Sequence, residues 1–171
     1  VGIPWIGTMS FDTAGRTMMG IKSSDLVKEI ETLPNAPLAY GANCGVGASD
    51  LLRTVLGFNS AGASLPLVAK GNAGIPKFVD GEIHYDGSPE LMAKYAVMSL
   101  GCGAKVIGGC CGTTPKHLVA MKSALQNCHK LDTPSLRDIQ REIGPFSSDS
   151  DGTDNKVIGK RSRRTRRKGC C

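Results

Sequence analysis

The sequence predicts an α/β protein made of four consecutive strand–helix units, about half of a (β/α)8 TIM barrel. Short, almost continuously apolar segments alternate with amphipathic ones, which is typical of parallel strands covered by helices. Each apolar segment ends in a turn rich in Gly, Asn or Cys, where barrels and open α/β sheets place their sites. No Gly-x-Gly-x-x-Gly sequence follows a strand, which disfavours a dinucleotide-binding sheet. A complete barrel needs about 250 residues, so roughly half of one fits here.

The first two units follow one pattern. The apolar run at residues 3–6 predicts a buried strand, and the polar loop at 12–17 is broken by glycine. A helix at 23–33 is predicted because a serine can cap its start and its apolar residues share one face. A strand at 38–41 and a helix at 49–56 repeat the cycle.

The third and fourth units continue this pattern. A strand at 65–69 is followed by a long predicted loop over 75–87. The next helix is predicted at 88–100, because Ser-Pro-Glu is a typical helix start and a glycine follows its last residue. The fourth strand, at 105–107, precedes a helix over 115–126 whose first residue is proline.

Composition divides the chain into three parts. Residues 1–126 form the predicted half-barrel, and residues 127–146 form a short extension with one helix at 133–143. Residues 147–171 are predicted to be a disordered basic tail, because 147–155 are rich in Ser, Asp and Gly. Half a barrel leaves two open sheet edges, so we expect it to pair with a missing N-terminal half or with another copy.

The net charge of +6 belongs to the tail rather than to the body. Seven of the 21 Lys and Arg residues lie in 160–168, which leaves 14 basic against 15 acidic residues elsewhere. The body therefore lacks the basic excess typical of nucleic-acid-binding domains. The tail could bind nucleic acid through phosphates, or an anionic membrane if Cys170 and Cys171 carry lipid. A plain disordered extension is the alternative reading of the tail.

The seven cysteines include two adjacent pairs, which argues against a disulfide framework and for reduced thiols. No stretch approaches the roughly 20 apolar residues that span a bilayer, and no signal peptide is recognisable. We therefore expect a cytoplasmic protein.

The most specific pattern is the turn Gly108-Gly109-Cys110-Cys111-Gly112-Thr113-Thr114-Pro115. Glycines on both sides let the backbone bend so that both sulfurs can face one point. Cys44 lies in a similar turn two units earlier, and alternate strands of a barrel contribute side chains to the same layer. Three such thiols suit a catalytic zinc with one open position. Ordinary buried cysteines are the alternative, and the default for Cys102 and Cys128.

Polar residues near the other strand ends are further candidates for the site. The Asn72 amide could occupy the open metal position or hydrogen-bond a bound thiolate, or it could only shape its turn. Asn43 could orient Cys44, or it could only form its own turn. His84 and His117 are predicted to lie at the surface. The remaining candidates, for the mouth of the site, are Thr8, Asp12, Arg16 and Thr17, and a solvated loop is the alternative for each of the last three taken alone.

Four motifs occur in an order that resembles the homocysteine S-methyltransferase family. They are Ile6-Gly7-Thr8 with Asp12-x-x-Gly15-Arg16-Thr17-x-x-Gly20, Gly41-Ala42-Asn43-Cys44, Asn72-Ala73-Gly74-Ile75-Pro76, and the double-cysteine turn. Within the family, the sequence is most similar to the homocysteine-binding module of cobalamin-dependent methionine synthases, and betaine–homocysteine methyltransferases are more distant. The resemblance covers residues 1 to about 126.

The resemblance implies that the chain holds strands five to eight of a (β/α)8 barrel, with Zn²⁺ bound by Cys44, Cys110 and Cys111. It also implies transfer of a methyl group to the thiol of homocysteine, which forms methionine. The donor would be methylcobalamin on a separate module, a folate-linked methyl group or a betaine-like molecule. Acidic groups that hold the amino-acid end of homocysteine lie in the family's first four strands, which are absent here.

A hypothesis from a different class is a non-catalytic half-barrel whose basic C-terminal tail binds nucleic acid or an anionic membrane. A zinc assay separates the two hypotheses, because only the methyltransferase needs the metal.

Overall fold

A computed structural model describes residues 2–12, 15–128 and 132–148. The strands are β1 (Ile6–Met9), β2 (Ala39–Cys44), β3 (Leu67–Gly71), β4 (Pro76–Val79), β5 (Glu82–Tyr85) and β6 (Ala104–Gly109). The helices are α1 (Ser23–Glu31), α2 (Ala48–Ser60), α3 (Pro89–Gly101), α4 (Pro115–Gln126) and α5 (Leu136–Glu142). Four strands form a parallel sheet in the order β1-β2-β3-β6, and β4 and β5 form a separate antiparallel hairpin. The predicted α/β class with a parallel sheet is confirmed.

The hydrophobic core takes alternate residues from the sheet and packs them against the helices. Tyr40 of β2 and Leu67 of β3 belong to this core. Residues whose side chains point to the opposite face of the sheet, such as Lys70 of β3, do not. The Tyr40 ring meets the Phe58 ring of α2 edge-on, with centroids 5.6 Å apart. Gly41 faces β3 so closely that a Cβ there would lie 2.0 Å from a carbonyl oxygen. Only glycine therefore fits at this position of the Gly-Ala-Asn-Cys motif.

A hydrogen-bond cluster closes the end of the sheet where β2 and β3 begin. The carboxylate of Glu31, the last residue of α1, accepts hydrogen bonds from the Tyr40 hydroxyl at 2.9 Å and from the Ser64 amide at 2.8 Å. It also accepts from the Ser64 hydroxyl at 2.7 Å and from the Leu65 amide at 3.3 Å. One side chain thus joins α1, β2 and the segment leading into β3.

The first strand differs from the prediction in both position and burial. It runs from Ile6 to Met9 rather than over 3–6, and the Ile3 and Ile6 side chains are 71% and 56% exposed. β1 pairs only with β2, so its other edge has no neighbour among the described residues. An apolar run indicates a buried strand only when a second strand or a helix covers it, and that condition is not visible locally.

The predicted loop over 75–87 contains the β4–β5 hairpin, so that prediction was wrong. Asp80 and Gly81 form its two-residue turn, with φ values of 51° and 88°. Two consecutive positive φ angles characterise the type I′ turn, for which Asp-Gly is a preferred sequence. Phe78 and Ile83 pair directly across the two strands. Asp-Gly is a hairpin signal, but the two flanking strands have only four residues each, too few for a clear alternating pattern.

The C-terminal extension packs against α2. The Asp50 carboxylate accepts a hydrogen bond from the Ser147 amide at 3.0 Å, and the Arg53 guanidinium donates to the Ser148 carbonyl at 3.0 Å. Asp50 and Arg53 also form a buried ion pair at 2.7 Å. Ser147 and Ser148, the first two residues of the predicted tail, are therefore held on the body. The rest of that tail, with its basic run and its last two cysteines, lies outside the described residues.

No helix within the described ranges has both the length and the apolar character that crossing a bilayer requires.

Candidate metal centre

The first cysteine turn ends β2 in an unusual backbone conformation. Cys44 has a φ of 58° and Gly45 a φ of 74°, so two left-handed residues follow one another. Positive φ is uncommon for residues other than glycine. The turn brings the Cys44 sulfur to 3.6 Å from that of Cys111, 67 residues later in the chain.

The double-cysteine turn is tied to the end of β3 by backbone hydrogen bonds. The Cys110 amide donates to the Gly71 carbonyl at 2.8 Å, and the Ala73 amide donates to the Cys111 carbonyl at 2.9 Å. Gly112, with a φ of 74°, then redirects the chain towards α4. These bonds place both cysteines at the edge of the sheet where Cys44 lies.

The three sulfurs have the spacing of ligands around one metal ion. Those of Cys110 and Cys111 are 3.9 Å apart, and all three lie within 4.8 Å of one another. A tetrahedral zinc with Zn–S bonds of about 2.3 Å places its sulfur ligands about 3.8 Å apart. Cys111 is exposed, whereas Cys44 and Cys110 are half-buried. The donor set therefore fits zinc, with one side of the cluster open to solvent.

The thiols of this cluster influence each other's ionisation. Burial, and then the hydrogen bond with Cys111, raise the pKa of Cys44, while the Asn72 amide acts in the opposite direction. Hydrogen bonds from Cys44 and from the Tyr85 phenol lower the pKa of Cys111. Cys111 is thus the sulfur on which the surrounding groups favour negative charge.

Asn72 connects the two cysteine turns. Its side chain is 1% exposed, and its Nδ2 donates to the Gly45 carbonyl at 3.0 Å. Its Oδ1 accepts a hydrogen bond from the Cys111 amide at 3.2 Å. The amide therefore fixes the distance between Cys44 and Cys111, and in this arrangement it shapes more than its own turn.

Tyr85 belongs to the site although sequence reasoning did not single it out. It is the last residue of β5, and its ring lies against the backbone of the double-cysteine turn at Gly112. The Asp80-Gly81 signal indicates a hairpin, and a hairpin turning there places Tyr85 opposite Pro76, the first residue of β4. Nothing in the sequence indicates that this point is next to Cys111.

His117 was predicted to lie at the surface, and this was wrong. Its side chain is buried at 9% exposure. Its Nδ1 accepts from the Thr114 amide at 2.9 Å, so Nε2 carries the proton and donates to the Gly87 carbonyl at 2.9 Å. The chain leaving the hairpin covers this turn of α4, which explains the burial. His84 is exposed on β5, as predicted.

The residues predicted for the mouth of the site have different environments. Thr8 is half-buried on β1, Asp12 is exposed, and Asn43 is half-buried beside Cys44. The Arg16 guanidinium donates to the Gly20 carbonyl at 3.1 Å, within its own loop. Thr17 is only 8% exposed and caps the same loop, so it is a structural residue rather than part of an open mouth.

The other cysteines of the described chain stand apart from the cluster. All five cysteines in these ranges are free thiols, and only Cys44, Cys110 and Cys111 form a group with metal-ligand spacing there. Cys102 is fully buried, and burial raises its pKa to about 12. It is therefore the ordinary core cysteine that was predicted.

Comparison with known proteins gives consistent matches. Two crystal structures of the homocysteine methyltransferase MmuM from Escherichia coli resemble the fold. The metallated form has a TM-score of 0.53 at 24% identity, and the oxidised form has a TM-score of 0.51 at 26% identity. Each match covers 70% of this chain and 35% of the MmuM chain, so this chain spans about a third of that protein.

The family model of the homocysteine S-methyltransferases matches residues 1–125, nearly the whole body and both cysteine turns. The chain therefore belongs to the homocysteine S-methyltransferase family.

Proposed function

We propose that this chain supplies the zinc-binding part of an enzyme that transfers a methyl group to the thiol of homocysteine and so forms methionine. One observation carries the proposal: sulfurs from two separate strand ends converge within 4.8 Å in a chain of this family. A structural zinc finger takes its ligands from closely spaced pairs, whereas these come from turns 66 residues apart or more, as in a catalytic site built on a sheet edge.

The chain's own residues have distinct roles in this proposal. Cys44, Cys110 and Cys111 hold the ion, and Asn72 keeps the two cysteine turns at the required separation. When bound, zinc supplies a centre at which a further thiol loses its proton near neutral pH. The exposed side of Cys111 is the direction from which homocysteine approaches. The homocysteine sulfur forms a bond to the methyl carbon while the bond between the donor and the methyl group breaks. The donor keeps the electron pair of the broken bond.

The methyl donor approaches the same edge of the sheet. Thr8 lies on β1, Asp12 and Arg16 follow this strand, Asn43 precedes Cys44, and Asn72 follows β3, so all five belong to the ends of neighbouring parallel strands or to the segments after them. We propose them as substrate-side residues on this placement. The donor stays open between methylcobalamin carried on a separate module, a folate-linked methyl group and a betaine-like molecule, and each would use the same approach.

The architecture that we propose is the second half of a (β/α)8 barrel over residues 1–126, followed by the extension at 127–146. The four strands lie in sequence order, as in a singly wound barrel, and the core lies against alternate residues of the sheet. Parallel sheets are normally covered on both faces, so the other face needs a partner. A missing N-terminal half or another copy would close it, and the former would supply the acidic groups for homocysteine.

Zinc content tests the metal site. We expect about one equivalent of zinc in the purified chain and almost none in a Cys110→Ala, Cys111→Ala double variant. Cys128→Ala is the matched control, because this half-buried thiol is outside the cluster, and it should retain the metal. Full retention of zinc by the double variant would refute the site.

Zinc-edge X-ray absorption tests the reaction in the protein completed with an N-terminal half. Addition of homocysteine should increase the number of sulfur ligands from three to four. An unchanged metal environment during turnover would exclude direct binding of the substrate sulfur.

The non-catalytic alternative stays a prediction, because the basic tail on which it depends lies outside the described residues. Loss of nucleic-acid or membrane binding on removal of the tail, in a chain that binds no zinc, would favour it. We also propose a cytoplasmic setting, because adjacent cysteine pairs in the sequence suit reduced thiols rather than a disulfide framework.

A further inference from the structure

We propose that Tyr85 is a positioning residue for the cysteine cluster, and that the β4–β5 hairpin holds its phenol against the Cys111 sulfur. The inference rests on the proposed function, because it treats the three cysteines as metal ligands. It adds a residue from a different element of the chain, whose contribution is a hydrogen bond to a ligand rather than a bond to the metal.

The β4–β5 hairpin is too exposed to be stable by itself, so contacts with the rest of the chain must hold it in place. Seven of its eight strand residues are exposed, and Tyr85 alone is half-buried. A two-stranded hairpin without further packing is at best marginally stable in water. Its orientation must therefore come from contacts at its base.

Two contacts fix Gly87, which follows the second strand of the hairpin, to the β3 turn and to α4, and a third contact lies within the hairpin segment. The Gly87 amide donates to the Ala73 carbonyl at 2.9 Å, next to Asn72. His117 of α4 donates to the Gly87 carbonyl at 2.9 Å. Lys77 and Asp86 form an ion pair that joins the first strand of the hairpin to the residue after Tyr85. The two Gly87 contacts thus tie the hairpin to both the β3 turn and the helix that follows the double-cysteine turn.

The Tyr85 side chain packs directly on the double-cysteine turn. A Cβ at Gly112 would lie 2.4 Å from the Cβ of Tyr85 and 2.5 Å from its Cγ. Gly112 also has a φ of 74°, which favours glycine independently. The absence of a side chain at this position is thus what admits the tyrosine ring beside Cys111.

The face of the hairpin that carries Tyr85 is otherwise apolar. Because side chains alternate along a strand, Tyr85 shares its face with its cross-strand partner Pro76 and with the Phe78–Ile83 pair. The phenol is therefore the only polar group that this face brings to the sulfurs. A phenol hydroxyl is a hydrogen-bond donor, and the packing of its ring on Gly112 places it beside the neighbouring Cys111.

A hydrogen bond to a ligating sulfur fixes its direction and withdraws some of its negative charge. Groups that orient metal ligands in this way typically change metal affinity by about 10–100-fold when they are removed. The Tyr85 ring lies beside Cys111, the one exposed cysteine of the three, and its hydroxyl is the group that we propose to act on that sulfur.

Cobalt substitution tests this role without any measurement of catalysis. The zinc-free full-length chain and its Tyr85→Phe variant are titrated with Co²⁺ alone, and the sulfur-to-cobalt charge-transfer absorption is recorded. Tyr85→Phe keeps the ring on Gly112 and removes only the hydroxyl. Loss of the Tyr85 hydroxyl raises the energy of the sulfur lone pairs, so we expect the charge-transfer band to move to lower energy. We also expect the affinity for Co²⁺ to fall about tenfold.

His84→Ala is the control, since this exposed residue lies in the same hairpin on its opposite face. It should leave both the band and the affinity unchanged. An unshifted band in Tyr85→Phe overturns the inference, even if the affinity falls, because a purely structural role would give that result. If the unaltered chain binds no Co²⁺, the proposed function itself fails, and the two failures are thereby distinguished.

Discussion

The two ends of the parallel sheet are built from opposite kinds of interaction. Where β2 and β3 begin, Glu31 satisfies four hydrogen-bond donors, and the Tyr40 ring is fully buried. Where β2 and β6 end, Cys44 has a left-handed backbone, and three thiols lie close together beside solvent. In parallel α/β proteins the first end serves stability and the second serves chemistry. This chain keeps that division within one four-stranded sheet.

The end of the sheet that carries the cysteines, here called the chemical end, has an energetically unfavourable backbone conformation. A non-glycine residue in the left-handed region is less stable by roughly 1–2 kcal/mol than in the right-handed one. Cys44 is in that region, and its turn is held in place by the hydrogen bond from the buried Asn72 amide to the carbonyl of the next residue, Gly45. The chemical end is therefore restrained by a few specific contacts, whereas the other end is stabilised by a connected network.

The largest expected effect comes from removing the restraint at the chemical end. Asn72→Ala breaks the links to Gly45 and to the Cys111 amide, so the sulfurs lose their fixed separation. We expect metal affinity to fall by about 10–100-fold, measured by competition with a chelator. Asn127→Ala, which loses only a bond within its own helix, is the control. An affinity within twofold of the unaltered chain would show that the cysteine turns are held without Asn72.

A second prediction concerns the stabilising end. Glu31→Ala removes the acceptor for four hydrogen bonds, and because water can replace part of this bonding we expect the free energy of unfolding to fall by about 1 kcal/mol in metal-free urea titrations. Glu29→Ala, an exposed residue of the same helix, should change it little. Metal affinity should be unchanged in both variants. A large loss of metal affinity in Glu31→Ala would mean that the two ends of the sheet are coupled.

The smallest expected effect is a pH dependence at the stabilising end. Burial acts to raise the pKa of Glu31, but hydrogen bonds from Ser64, Tyr40 and Leu65 together outweigh it, so this pKa lies below 4.5. A carboxyl whose pKa is lowered by folding adds stability above its unfolded pKa and loses it as pH falls through its folded pKa. The difference in unfolding free energy between the unaltered chain and Glu31→Gln should therefore shrink below pH 4.5. A difference that stays constant down to acid unfolding would contradict this assignment.

The two ends of the sheet differ in how much of each could be predicted from the sequence. The cysteine turns could be located because their glycines and their place after apolar runs are local signals. Asn72 was correctly associated with the same edge, but its part in joining two turns was visible only in three dimensions. His117 was misplaced because a histidine near a helix start has no sequence mark of burial, and the covering residue, Gly87, is 30 positions away.

By itself, the sequence determined the order of strands and helices, the class of the fold and the residue types at the candidate metal centre. Periodicity, helix caps and glycine turns act within a few residues, so they can be recognised from the sequence alone. The tertiary structure alone decided that Ile3 and Ile6 lie at an open edge and that Tyr85 reaches Cys111. These outcomes depend on strand register and on the close approach of distant backbones, as at Gly112, and no local pattern encodes either.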